Sequence, residues 1–179
     1  MSNERFPAYL TLLRPAVDMS DPRPTAPARF ERSVDQDRLC AVATRHALME
    51  RLETLAAVSP NAPLSFVLIK VHGLTETNRI AGFQAGDTVL KDVATKVKAF
   101  VRATDMIGRF TSSSFGVVLQ GAGATAASAV AARFEHHLNG NGMGNGPGRV
   151  TVTVSVATGR GLNATTLPLA AVDSLAGAG

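Results

Sequence analysis

Between Arg102 and Phe115 the chain sets Arg102 and Asp105 three residues apart. After Met106 to Phe110 it places the hydroxyl run Thr111, Ser112, Ser113 and Ser114, closed by Phe115. A guanidinium is a rigid fork of donors and a carboxylate is acceptor-only, so an Arg and an Asp together can grip a planar ligand that has both donors and acceptors, and Arg also engages phosphate bidentately. Four hydroxyl side chains bring no fixed negative charge to a divalent cation, which prefers carboxylate oxygens. The plain structural reading of the same residues is a helix exit followed by a polar hairpin turn. In it Arg102 favours the helix dipole, and Asp105 pairs with Arg102 on the surface for under about 1 kcal/mol.

The elements that must position these residues follow from periodicity. Leu48, Leu52 and Leu55 share one face of a helix over 45–57, preceded by a turn at 37–44. Ser59-Pro-Asn-Ala-Pro63 ends it, and Leu64 to Val71 is an apolar run of strand length, read as a central strand. Leu74 to Ala81 reads as a short helix and Gly82 to Asp87 as a junction, with Asp87 placed to cap a helix that begins at Thr88 and ends near Arg102. Residues 105–110 and 115–120 read as a hairpin, and Thr125 to Leu138 as an alanine-rich helix with Val130, Phe134 and Leu138 facing the sheet. Asn139 to Gly148 is a loop by composition, Val150 to Ala157 an alternating strand, and Leu167 to Leu175 a last short helix. Helix, strand, two helices, hairpin, helix, strand predicts an α+β sandwich with a mixed β-sheet flanked by helices.

The 179 residues allow one globular domain, 29–179, behind a Pro-rich tail or linker over 1–28, whose Tyr9-Leu10 to Leu12-Leu13 patch is a candidate docking segment. Hydrophobic residues at 45% and charged residues at 18% exclude a disordered chain. A net charge of +4 favours anionic partners only weakly, and nucleic acid is not expected. Cys40 is the lone cysteine, which excludes an intramolecular disulfide and a cysteine metal cluster. No secretory leader and no membrane-length apolar run is read, so a cytoplasmic location is expected. His136 and His137 read as solvated helix residues, because nothing is spaced to join them at a metal.

Several local motifs, in order, carry a resemblance. They are Asn78-Arg-Ile-Ala-Gly82-Phe-Gln-Ala-Gly86-Asp87-Thr-Val-Leu90, then Arg102-Ala-Thr-Asp105, Arg109-Phe-Thr111-Ser-Ser-Ser114-Phe115, Ala131-Ala-Arg133 and Val150 to Ala157. Over roughly 37–175 this order resembles the GGDEF, or diguanylate cyclase, domain, whose pattern is N-D-x-x-G-H-x-x-G-D-x-x-L, R-x-x-D, R-x-G-G-D-E-F, A-E-R and V-T-V-S-I-G-V-A. Members make cyclic di-GMP from two GTP molecules held across a dimer. By the resemblance, their metal carboxylates come from the end of the first strand and from the third signature position, which here are Lys70 and Ser113. The fourth, acidic, position is Ser114, and the two phosphate-admitting glycines are Thr111 and Ser112. The family's D-x-L-T-G-L-x-N-R pattern is reduced to Asp37-Arg-Leu39-Cys-Ala-Val-Ala-Thr44-Arg45, and its basic C-terminal segment is not found.

The resemblance therefore implies no cyclase activity and no magnesium. It leaves two functions open at the nucleotide cleft and the feedback site. Asn78 and Asp87 match the guanine contacts, with helix capping as their plain alternative. Arg102, Asp105 and Arg133 match the site that binds product cyclic di-GMP: five residues separate Asp105 from Thr111, as in the family, and an Arg fork with a carboxylate complements guanine. The expected function is a cyclic di-GMP receptor that signals through a protein partner, with a homodimer allowed. The alternatives are a nucleotide-independent scaffold and a GTP-binding regulatory domain.

Overall fold

In the computed structural model, which describes residues 35–140 and 148–177, nine regular elements succeed one another. They are α1 (Arg45–Val58), β1 (Pro63–His72), α2 (Leu74–Ala81), α3 (Phe83–Lys98), β2 (Met106–Thr111), β3 (Ser114–Gln120), α4 (Ala124–Gly140), β4 (Thr151–Arg160) and α5 (Leu167–Ala176). A 3-10 segment, Gly161–Thr166, leads into α5 and has no counterpart in the expected order. The Pro-rich tail, its Tyr9 to Leu13 patch and most of the Gly-rich loop lie outside the described residues. No helix among the described residues is long and apolar enough to cross a membrane.

The sheet runs β2-β3-β1-β4. The α+β sandwich stands, but the sheet is not mixed: every strand pairing is antiparallel, and a parallel contact occurs only as the isolated bridge between Ala43 and Gly108. The reason is topological. Helical crossovers link strands of the same direction, β1 to β2 and β3 to β4, yet one strand intervenes within each of those pairs, so no neighbours run parallel.

β1 is covered on both faces, which is why its centre, Phe66 to Ile69, reads as an unbroken apolar run. Leu64, Phe66 and Leu68 face α1 and α5, where Leu48, Leu52, Leu167 and Ala171 are buried. Val67, Ile69 and Val71 face α3 and α4, against Val93, Val97, Phe134 and Leu138. Lys70 continues the first of these rows. On α4 the buried residues are Ala127, Ala131, Phe134 and Leu138, with Val130 half-buried beside them.

The 37–44 segment is a turn, as expected. Asp37 Oδ1 accepts from the Cys40 amide at 2.8 Å, and Thr44 Oγ1 caps α1 by accepting from the Ala47 amide at 3.3 Å. The expected junction at 82–87 is instead the first turn of α3, which starts at Phe83 behind Gly82, whose φ of 80° favours glycine. Asp87 therefore sits inside a helix and does not cap one. Gly86 is needed for packing, because a Cβ there would come within 2.1 Å of Asn78 Oδ1 on α2. α3 also ends earlier than expected, at Lys98, and leaves Arg102 in the turn that follows.

Gly108 and Gly116 are paired in the β2–β3 hairpin, directly beneath α1. A Cβ on Gly116 would lie 2.5 Å from Phe66 Cζ and 2.6 Å from Leu48 Cδ2, and both side chains are fully buried. Gly116→Ala should therefore overpack the core and lower stability by about 1–3 kcal/mol, read as a fall in the urea midpoint at unchanged slope.

Candidate functional site

Ser112 and Ser113 alone separate β2 from β3, so the hydroxyl run Thr111 to Ser114 forms a tight turn at the end of the hairpin. Arg109 holds that turn from within. Its Nε donates to the Thr111 carbonyl at 2.7 Å and its Nη2 to the Ser112 carbonyl, while Nη1 donates to Cys40 Sγ at 3.0 Å and the guanidinium lies 5.2 Å over the Phe115 ring. Burial pushes the Cys40 thiol above its usual range even though the Arg109 charge beside it pulls the other way. Thr111 Oγ1 and Ser114 Oγ share a hydrogen bond of 2.6 Å, and the Val71 amide donates to the Ser113 carbonyl at 2.9 Å.

Lys70 reaches the same turn, with Nζ donating to Ser113 Oγ at 2.7 Å. Tertiary structure thus joins the two positions that the resemblance matched to metal carboxylates, here an ammonium and a hydroxyl. Magnesium needs hard anionic oxygens, and an ammonium fixed at that point repels a cation, so this donor set does not fit it. Among the described residues no group of three or more His, Cys, Asp or Glu side chains is placed to hold a metal ion.

Beside the turn, between α2, α3 and the hairpin, lies a cleft of about 360 Å3 lined by Asn78, Gly86, Asp87, Arg109, Ser112 and Ser113. The structure therefore gathers both predicted guanine contacts at one site. The capping alternative fails for each. Asp87 is mid-helix, and at the end of α2 Asn78 supplies its backbone carbonyl to the Gly82 amide, while its side-chain Oδ1 is buried with no hydrogen-bond partner. An orphaned buried acceptor is costly, by about 1–3 kcal/mol.

Arg102 and Asp105 share the turn that follows α3, and Arg133 on α4 reaches the Phe100 ring at the start of that turn. Asp105 does not form the surface ion pair with the Arg102 side chain that the plain structural reading allowed. Its Oδ2 accepts from the Arg102 amide at 3.1 Å and its Oδ1 from the Gln120 amide at 3.2 Å, tying the α3–β2 turn to the end of β3. The Arg102 carbonyl in turn accepts from the Asp105 amide at 3.1 Å. The exposed Arg102 guanidinium meets no hydrogen-bond or ion-pair partner among the described residues. Arg133 lies 5.2 Å over the ring of Phe100, two residues before Arg102. Phe100 also stacks edge-on with Phe134 and His137, so His137 belongs to an aromatic cluster, whereas His136 is exposed.

Two contributors were not read from the sequence as site residues. The Phe100 platform looked like ordinary helix core, and Arg109 looked only like part of a motif. An aromatic at the helix end nearest an Arg-x-x-Asp was the available signal for the first, and an Arg two residues before a turn for the second.

Because each Asp105 oxygen satisfies a backbone amide, Asp105→Ala should cost about 1–3 kcal/mol in urea unfolding. Asp105→Asn should cost less, since its carboxamide oxygen still accepts from one amide.

Comparison with known proteins agrees with this architecture. The family model for "Diguanylate cyclase, GGDEF domain" matches residues 34–167. Diguanylate cyclase A of Treponema denticola is 36% identical over 87 residues, which are 48% of this chain and 24% of that protein; the match spans about a quarter of that relative's length. Among solved structures, the GGDEF domain of DgcB from Caulobacter crescentus in complex with c-di-GMP superposes with a TM-score of 0.74 at 16% identity, covering 86% of this chain and 92% of that one. The diguanylate cyclase SiaD of Pseudomonas aeruginosa, in complex with its activator SiaC, superposes with a TM-score of 0.66 at 22% identity, over 78% and 58% of the two chains. At these identities the superpositions establish the fold alone, and it is the match of the family model over most of the sequence that decides the assignment: the chain belongs to the GGDEF domain family.

Proposed function

We propose that this GGDEF domain is a receptor for cyclic di-GMP that does not synthesise it, and that it passes the signal to a protein partner in the cytoplasm. The contrast between the two ends of the hairpin carries this reading. At the turn, the positions for metal carboxylates hold an ammonium bonded to a hydroxyl at 2.7 Å. At the far end, the Arg102 guanidinium is exposed and uncommitted, the Asp105 carboxylate is oriented by two backbone amides, and Arg133 stands on Phe100.

A guanine edge offers O6 and N7 to an Arg fork, and N1–H with the exocyclic amine to a carboxylate. Each Asp105 oxygen keeps an acceptor site beyond the one its amide uses. The DgcB complex with c-di-GMP and the SiaD complex with its activator are precedents for ligand and partner on this fold.

Isothermal titration with cyclic di-GMP tests the receptor reading. Micromolar binding is expected, weakened at least about tenfold in Arg102→Ala and in Arg133→Ala, because each removes a charge-assisted contact. The stoichiometry should be recorded, since an intercalated ligand dimer doubles it. No binding in the micromolar range, or binding unchanged in Arg102→Ala, sinks the proposal in favour of a nucleotide-independent scaffold. Incubation with GTP and magnesium should yield no cyclic di-GMP.

The second reading, a GTP-binding regulatory domain, is favoured by the cleft that Asn78 and Asp87 line together. It predicts a thermal shift with GTP that Asn78→Ala abolishes, and a flat response sinks it.

A further inference from the structure

A second cavity, of about 390 Å3, opens at the end of the β1 row that carries Leu68, Lys70 and His72. Its apolar lining, Leu68 and Phe110, belongs to the core on the α1–α5 face of the sheet, whereas the Asn78–Asp87 cleft lies against α2 and α3. The two recesses have separate linings and meet at the hydrogen bond from Lys70 to Ser113, and the second involves none of Arg102, Asp105 and Arg133.

Its lining has two chemical halves. Leu68, Phe110, Val172 and Leu175 form an apolar wall between the sheet and α5, and the strand ends supply the polar groups. Most of those polar groups are already paired with each other: Thr111 with Ser114 at 2.6 Å, and His72 Nε2 with Thr153 Oγ1 at 2.8 Å. Lys70 is the exception. One of its three donors goes to Ser113 Oγ, and no carboxylate pairs with it among the described residues. A half-buried ammonium beside an apolar wall, without a counter-ion, is an arrangement that an anion relieves. A single uncommitted cation suits a single negative charge, and the apolar wall suits a hydrocarbon body.

We propose that this cavity binds an amphipathic monoanion, a medium-chain carboxylate whose head group pairs with Lys70 and whose tail lies against Leu68, Phe110 and Leu175. Val172, which is 39% exposed, stands at its mouth on α5.

Calorimetric titration of the full chain with decanoate, kept below its micelle-forming concentration, tests this. Saturable binding is expected, with decanol, the neutral analogue, at least about tenfold weaker. Lys70→Met should lose a similar factor, and inorganic phosphate should not compete, because the apolar contacts contribute much of the affinity. The decanol comparison needs no variant, so it decides the matter even if Lys70→Met folds poorly. No saturation by decanoate up to about 1 mM, equal binding of decanol, or undiminished binding to a folded Lys70→Met protein would overturn the assignment. A failed cyclic di-GMP titration would leave it untouched.

Discussion

The burial of β1 on both faces is the constraint from which the rest of this domain follows. Leu64, Phe66, Val67 and Ile69 are fully excluded from water, each contributing about 1.5–3 kcal/mol by burial, and they split strictly between the α1–α5 face and the α3–α4 face. Because β1 also pairs on both edges, with β3 and β4, its register is fixed along its length. A slip of one residue would send Lys70 into the α3–α4 core and Val71 into the α5-side cavity. The position of one ammonium is thus set by the burial of its apolar neighbours.

Around that frame the cations of the hairpin are committed differently. Arg109 is consumed by the turn, where it satisfies two carbonyls and a thiol sulfur and covers an aromatic ring. Arg102 and Arg133 are not spent in this way. Among the acceptors, both Asp105 oxygens take a backbone amide, whereas Asn78 Oδ1 is buried with no hydrogen-bond partner.

Much of the layout was legible in advance. α2 matched its expected limits residue for residue, and α1, α4 and the hairpin came out within a few residues, since three-and-four spacing and short apolar runs report burial directly. The misses share a cause. Gly82 and Gly86 looked like breakers of one junction, but only Gly82 breaks a helix, while Gly86 is small so that α2 and α3 can touch. The sheet looked mixed because helical crossovers join same-direction strands, and composition does not record which strand is inserted between them.

The sequence by itself determined the family and the α+β class, because motif order and hydrophobic periodicity are linear properties. Tertiary structure alone decided which polar atoms are already satisfied: that Asp105 is held by the Arg102 and Gln120 amides, that Lys70 donates to Ser113, that Asn78 Oδ1 is buried without a partner, and that a second cavity lies beneath α5. Hydrogen bonds act over about 3 Å between residues far apart in the chain, so whether a group is spent or available is fixed only when the sheet and its helices close around it.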